Sequence, residues 1–455
     1  MACVRCGTLQ GKKMSEGGWN VIPRERTCGW CFWSERWTNK DRKMRSKCAD
    51  CGTINYCDNR CRRKHLEIHA PICRMIIERK GRGKELDKLF DQALMMMKDL
   101  REYDLYKLIK KHPDLLNWTV ASHNGLGLLH YAVQWSKVSI LDMLLLPLHV
   151  NENLKLIDGQ KQTPLMTACH LGHIECISVL LGTNTRTNVN AADHAGYTAL
   201  HVATQENRTA CISSLIDAGA HLDAVAAGGF TALHVASRED IASCIPLLIN
   251  AGADVNIVSD GGLSALHVAS QHNSASCIPL LINSGVHVDA KTNDGFTSLH
   301  IASQHNSKAC IPLLINAGAH VNALNRKRHA ALHIASKEDN NDCIPLLIRA
   351  GADVNIVTDD GFTSLHIASQ YNSPSCIPLL INSGIDVNTV ADKGITALHM
   401  ASYHGSFESV SLLLANGADT TMVTTDGKTA LDCAKEARNV NIAIVNLLTE
   451  NTIIY

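Results

Sequence analysis

The stretch Thr231–Asn256, "TALHVASREDIASCIPLLINAGADVN", decides the fold, because it returns almost unchanged farther down the chain. It recurs as "SALHVASQHNSASCIPLLINSGVHVD", as "TSLHIASQHNSKACIPLLINAGAHVN", and as "TSLHIASQYNSPSCIPLLINSGIDVN". The histidines mark the period: His201, His234, His267, His300, His333, His366 and His399 stand 33 residues apart. Units at His130 and Met166 precede them and one at Asp432 follows, which brings the series to ten. A fixed period of this length signals a stacked array, in which each unit is too small to bury its own apolar face and must lean on its neighbours.

A 33-residue unit with Thr-x-Leu-His-x-Ala, a Leu-Leu-Ile helix and then Gly-Ala-Asp-Val-Asn resembles the ankyrin repeat, and the resemblance covers about residues 124–455. It implies two short helices and a finger-like turn per unit. Leu233, Ile245, Leu247, Leu248 and their equivalents are the expected buried face. It also implies that the repeated histidine fixes the turn by hydrogen bonds, so a metal role for the ridge of histidines is set aside. Cys211, Cys244, Cys277, Cys310, Cys343 and Cys376 fall where the family has a buried aliphatic residue and are read as packing. Upstream, "YDLYKLIKKHPDLLN" (Tyr103–Asn117) has leucines at helical spacing and looks like a helical cap on the first unit.

Two details of the repeat carry expectations. Pro246, Pro279, Pro312, Pro345 and Pro378 recur where a helix interior would be damaged. Three residues before them stand Ser243, Ser276, Ala309, Asp342 and Ser375, mostly good N-caps. The second helices are therefore expected to begin late, near those caps, with proline at the third helical position.

The seventh unit breaks the pattern: "NRKRHAALH" replaces "TDDGFTSLH", so Arg326, Lys327 and Arg328 stand where the eighth has Asp359, Asp360 and Gly361, and Ala330 replaces the capping Thr363. A non-glycine residue in a left-handed turn and a lost cap each cost about 1 kcal/mol. Arg326, Lys327 and Arg328 are hence candidate partner-binding residues, an isolated positive patch for an acidic partner or phosphate.

The other cluster lies at the N-terminal end. Nine of the eighteen cysteines fall within the first 73 residues, in "CVRC" (Cys3, Cys6), "CGWC" (Cys28, Cys31), "CADC" (Cys48, Cys51) and "CDNRCRRKHLEIHAPIC" (Cys57–Cys73). Zinc takes four N/S ligands in a tetrahedron, and a C-x2-C turn offers two thiolates with the right bite. Cys61, His65 and His69 are spaced four apart and share one face of a helix that Pro71 ends.

The order C-x2-C, C-x2-C, Tyr-Cys-x3-Cys, x7-His-x3-Cys resembles a MYND-type zinc finger: Cys28/Cys31, Cys48/Cys51, Tyr56 before Cys57, Cys61, His69, Cys73. The resemblance implies one zinc on Cys28, Cys31, Cys57 and Cys61 and a second on Cys48, Cys51, His69 and Cys73, with His65 spare. Two departures stand out. The gap between Cys31 and Cys48 is long, and Cys3/Cys6 is an alternative first pair, with Cys28/Cys31 favoured because its closing loop is shorter. Both zinc ions are read as structural, since a segment this small lacks a core and metal binding supplies its folding energy. A RING finger is disfavoured, because its histidine comes in the middle of the ligand series.

The resulting expectation is a mainly α protein, an ankyrin-repeat solenoid preceded by a small two-zinc finger. Its parts are residues 1–75 (finger and N-terminal extension, core 28–73), 76–123 (helical linker and solenoid cap) and 124–455 (repeats). The chain has 455 residues, 45% of them hydrophobic, and zero formal net charge. No apolar leader or run of membrane-spanning length stands out, and with thiols this abundant the reading is an intracellular protein, cytoplasmic or nuclear. Residues 1–80 carry 18 Lys+Arg against 8 Asp+Glu, a surplus of +10 that the remainder balances.

No nucleophile elbow, Walker loop, dinucleotide fingerprint or HExxH appears, so an enzyme is not expected. A methyltransferase is disfavoured because the SET domain that sometimes accompanies MYND has no counterpart. The expected function is a non-enzymatic adaptor or scaffold, with protein partners on the solenoid and proline-containing peptides at the finger, as MYND resemblance implies. The alternative is a nucleic-acid or chromatin-associated transcriptional regulator using the basic finger, suggested by "DRKMRSK" and "CRRKH".

Overall fold

The structure is a computed structural model, and it describes residues 46–47, 55–56, 83–119, 125–145, 162–182 and 185–453. The chain divides into two units between Trp118 and Thr119.

In the first unit, two-residue strands Ser46–Lys47 and Asn55–Tyr56 pair antiparallel, Ser46 opposite Tyr56 and Lys47 opposite Asn55. A helix over 83–98 follows, in which Leu86, Phe90, Ala93, Leu94 and Met97 are buried at spacings of three and four. The stretch read as a cap forms the helix Glu102–Lys111 and a 3-10 turn, Pro113–Asn117, burying Leu105, Ile109, Leu115 and Leu116. The indole N–H of Trp118 donates to Asp87 at 2.9 Å.

The second unit is ten helix pairs in succession, from Leu128–Gln134 and Val138–Leu145 to Ala430–Glu436 and Ile442–Ile453. The fourth repeat shows how the sequence builds one. Thr231 is extended and stops the chain entering the helix early. Ala232–Arg238 is the first helix, and Asp240 at φ 54° turns the chain back. Cys244–Asn250 is the second helix. It ends on Gly252 at φ 102°, with Ala253 N–H donating to the Leu248 carbonyl at 3.0 Å and Gly252 N–H to that of Ile249 at 2.9 Å, a left-handed stop that glycine adopts without strain. Seven-residue helices do not persist alone in water, so this geometry depends on stacking.

Leu233, Ile245 and Leu248 are buried as the repeat pattern requires. Leu247 is half-exposed, because one turn of the second helix places Cys244 and Leu248 inward and swings Leu247 toward the edge. Neighbouring first helices pack closer than neighbouring second helices. Each first helix buries a small residue, Ala236, Ala269, Ala302, Ala335 or Ala368, whereas the second helices bury cysteine, isoleucine and leucine.

The second helices do start late where proline is present, but not because of a cap. With serine at the proline position the helices run Ile174–Leu180, Thr209–Asp217 and Phe407–Ala415. Each begins four residues before that serine (Ser178, Ser213, Ser411), whose hydroxyl donates to the carbonyl of the first helical residue at 3.0 to 3.2 Å. With proline the helices begin at Cys244, Ile278, Cys310, Cys343 and Ile377, two or three residues later in register. Proline has no N–H for the carbonyl four residues back, and its ring clashes there. The expected N-caps Ser243 and Asp342 are themselves in helical conformation and cap nothing; Ala309 at the same position is helical too and has no capping group. Ser243 and Ser276 donate instead to Asn207 at 2.7 Å and Asp240 at 2.6 Å, across to the preceding repeat.

Candidate functional site

The buried histidines hold the array together. In the third repeat His201 Nδ1 accepts from Thr198 N–H at 3.2 Å and the Thr198 hydroxyl at 2.9 Å, and Nε2–H donates to the Phe230 carbonyl at 3.1 Å. The same three bonds recur at His234, His267, His300, His366 and His399. The carbonyl accepts only from Nε2–H and the backbone N–H donates only to a ring nitrogen without a proton, so Nδ1 is unprotonated and the ring neutral. Burial pushes the pKa of His300, His333 and His366 down to about 4. None of these rings has a lone pair left for a metal.

The cysteine ladder is equally closed. Cys211, Cys244, Cys277, Cys310, Cys343 and Cys376 are buried free thiols, and burial pushes those of Cys277, Cys310 and Cys343 up to about 12. Such thiols stay protonated and neither ligate nor attack. Among the described residues no group of His, Cys, Asp or Glu side chains is placed to hold a metal ion. Cys28, Cys31, Cys48, Cys51, Cys57, Cys61, His69 and Cys73 lie outside the described residues, as do Cys3, Cys6 and His65. A shallow depression of about 430 Å³ lined by Asn190, His221, Leu222, Asp223 and Ala224 sits at the base of one finger and gathers no catalytic set.

What remains open to a ligand is the row of fingers. Val225, Val258, Val357, Val390 and Val423 occupy one register position, nine residues before a repeat's histidine or its equivalent, and each is 38 to 56% exposed. Lys291 and Leu324 take that place in the two middle fingers, where Lys291 donates to the Leu324 carbonyl at 3.0 Å. Beyond the valines come the tips, whose charges alternate in blocks: Asp260 and Asp294, then Arg326, Lys327 and Arg328, then Asp359 and Asp360. Sequence reading missed the valine row. Its period is visible, but an isolated valine beside a turn reads as core until its exposure is known.

The three cations are brought together on one exposed tip, and the turn keeps its left-handed conformation, Arg328 at φ 53°. Asn325 holds it, its side-chain oxygen accepting from Lys327 N–H and His329 N–H at 2.9 Å each. The patch is not isolated, however, because Arg328 Nε lies 3.3 Å from Asp359 of the next finger. What Ala330 removes is also different from a cap: it is the hydroxyl that elsewhere donates to histidine Nδ1, so His333 Nδ1 accepts only from the Ala330 N–H at 3.1 Å, while its Nε2–H still donates to the Phe362 carbonyl at 3.2 Å.

A family model described as ankyrin repeats in three copies matches residues 94–193, 129–226, 186–259, 233–325, 320–391 and 365–454, which together span most of the chain. The chain belongs to the ankyrin-repeat family. The crystal structure of the human ASB11 ankyrin repeat domain is similar at 27% identity, with a TM-score of 0.43, covering 48% of this chain and 96% of that one. No curated protein matches the chain. As an ankyrin-repeat array the chain offers a protein-interaction domain, and the fold is typically non-enzymatic. Among the described residues no helix is long and apolar enough to cross a membrane.

Proposed function

We propose that this chain is a non-enzymatic adaptor that binds a protein partner along its finger row. The observation that carries the reading is the register of exposed valines, Val225, Val258, Val357, Val390 and Val423, the last four flanked by charged tips. Repeated apolar exposure at one position is what a recognition surface needs, and the charges beside it select the partner. Arg326 and Lys327, which have no carboxylate within ion-pair distance among the described residues, call for an acidic segment at that point.

The second contact belongs to the N-terminal segment, which we read as a MYND-type finger with two structural zinc ions. Cys28, Cys31, Cys57 and Cys61 would hold one, Cys48, Cys51, His69 and Cys73 the other, with Cys3 and Cys6 as the alternative first pair. The spacing supports this, and so does the strand pairing of Ser46–Lys47 with Asn55–Tyr56, which flanks Cys48 and Cys51 in the sequence. Its expected ligand is a proline-containing peptide, and the setting intracellular. The surplus of +10 in residues 1–80 favours a second reading, nucleic-acid binding by the finger.

Affinity capture with the intact chain tests the proposal, comparing wild type with Val258→Lys/Val357→Lys/Val390→Lys and with Cys48→Ser. The adaptor reading expects distinct partners to disappear in the two variants. Retention of every partner by the valine variant, or DNA binding that falls steeply with salt and vanishes in Cys48→Ser, overturns it in favour of the alternative.

A further inference from the structure

Successive fingers are tied tip to tip by one backbone hydrogen bond. Ala227 N–H donates to the Ala195 carbonyl at 2.7 Å, Asp260 to Gly228 at 2.9 Å, Asn293 to Gly261 at 3.2 Å, Arg326 to Asp294 at 3.3 Å, Asp392 to Asp360 at 3.3 Å and Thr425 to Lys393 at 2.8 Å. In this register the junction between the seventh and eighth repeats calls for Asp359 N–H on the Lys327 carbonyl. Among the described residues that bond alone is missing from the series.

The residue after each accepting carbonyl explains the gap. It is Gly196, Gly229, Gly262, Gly295, Gly361 or Gly394 wherever the bond forms. A Cβ on Gly229 would meet the Asp260 nitrogen at 2.8 Å, on Gly262 the Asn293 nitrogen at 2.7 Å, on Gly295 the Arg326 nitrogen at 2.8 Å and on Gly361 the Asp392 nitrogen at 2.9 Å. At the unbonded junction the residue is Arg328, and its Cβ is real. At the spacing of those four junctions that atom would collide with the Asp359 amide, which accounts for the missing bond; at Gly196 and Gly394 the approach is looser, a Cβ lying 3.4 Å from the Ala227 and Thr425 nitrogens.

Left-handed backbone alone does not cause this. Lys393 has φ 59°, one position earlier in its own tip, yet its carbonyl accepts from Thr425. The seventh turn is also well formed, with Asn325 N–H on the His329 carbonyl and Arg328 N–H on that of Asn325, both at 3.0 Å. The helices Ala331–Lys337 and Ser364–Gln370 pack as their equivalents do. The Arg328–Asp359 ion pair that replaces the backbone bond joins two exposed side chains and contributes little. The same repeat also lacks the hydroxyl donor to His333. Weak points therefore coincide in the fingers of one junction.

We propose that this junction is a built-in point of opening, with Arg328 as the wedge. Repeats up to the seventh and from the eighth onward open and close as two separate blocks, and the valine row can flex between Val258 and Val357. The inference concerns the free chain and stands whether or not the adaptor reading does.

Hydrogen exchange and urea unfolding of the intact chain test it, using Arg328→Gly and Arg328→Ala. Wild type is expected to lose the amides on the two sides of the junction at different urea concentrations. Arg328→Gly should slow exchange at Asp359 by about fivefold, the worth of one recovered hydrogen bond, and draw the two losses together. Arg328→Ala, which keeps the Cβ and removes the charge, should leave the wild-type behaviour in place. Equal effects of glycine and alanine would assign the defect to charge and overturn the wedge. So would uniform loss of protection across the junction in wild type, or no change on Arg328→Gly.

Discussion

Lowering the pH from about 7.5 to about 5.5 should destabilise the repeat array well before its carboxylates titrate. His300, His333 and His366 have pKa values pushed from 6.5 to about 4 by burial, with Nδ1 occupied by donors and Nε2–H committed to a carbonyl. The unfolded chain takes up these protons near pH 6.5, whereas the folded chain holds them off until about pH 4. Unfolding therefore consumes protons in that window, and the stability each ring contributes is complete above pH 6.5 and lost as pH falls toward 4. In the limit each is worth about 3 kcal/mol, and at pH 5.5 about 1.4 kcal/mol of that is gone, so the three together cost about 4 kcal/mol. Urea unfolding followed by far-UV circular dichroism at the two pH values measures the difference, and proton uptake on unfolding at pH 5.5 gives an independent check. A loss below about 1 kcal/mol, or proton release on unfolding, would refute the argument that these rings are held neutral.

Other outcomes follow from single contacts. Ala330→Thr should restore a hydroxyl donor to His333 Nδ1 and stabilise the array by about 1 kcal/mol in urea unfolding; no gain would mean that this hydroxyl is idle in the other repeats too. Gly262→Ala places a Cβ 2.7 Å from the Asn293 nitrogen on a φ of 76°, and should cost about 2 kcal/mol from backbone strain plus the broken finger bond. An unchanged midpoint there would show that the fingers are not close-packed. Elemental analysis of the intact chain should find two zinc ions, and a strong chelator should remove them without loss of the array's helical signal; one ion or none would remove the two-zinc reading.

The period, the helix pairs and the buried histidine and cysteine ladders were legible because each follows from a repeated local rule: helical spacing, a left-handed stop, an apolar side chain facing its neighbour. The late start of the second helices was legible too, but its cause was misread. Proline alone sets that start, and Ser243 and Ser276 spend their hydroxyls on the preceding repeat. That bond joins residues 36 apart, and nothing local in the sequence announces it. For the same reason the candidate patch was legible only in part. Arg326, Lys327 and Arg328 were visible as departures from the repeat, whereas the Asp359 contact and the missing finger bond depend on how close two turns come. The valine row needed exposure, which periodicity does not supply.

The most direct measurement of the central claim is site-specific photo-crosslinking in the intact chain, with the photoreactive side chain at Val258 or Val357 in the finger row, or at Asn316, exposed at the end of a second helix. If the finger row receives the partner, Val258 and Val357 should capture one and the same protein through an acidic segment, Asn316 should capture none of it, and Arg326→Asp/Lys327→Asp should abolish the product. Capture of that protein from Asn316 alone, with none from either valine position, would contradict the account.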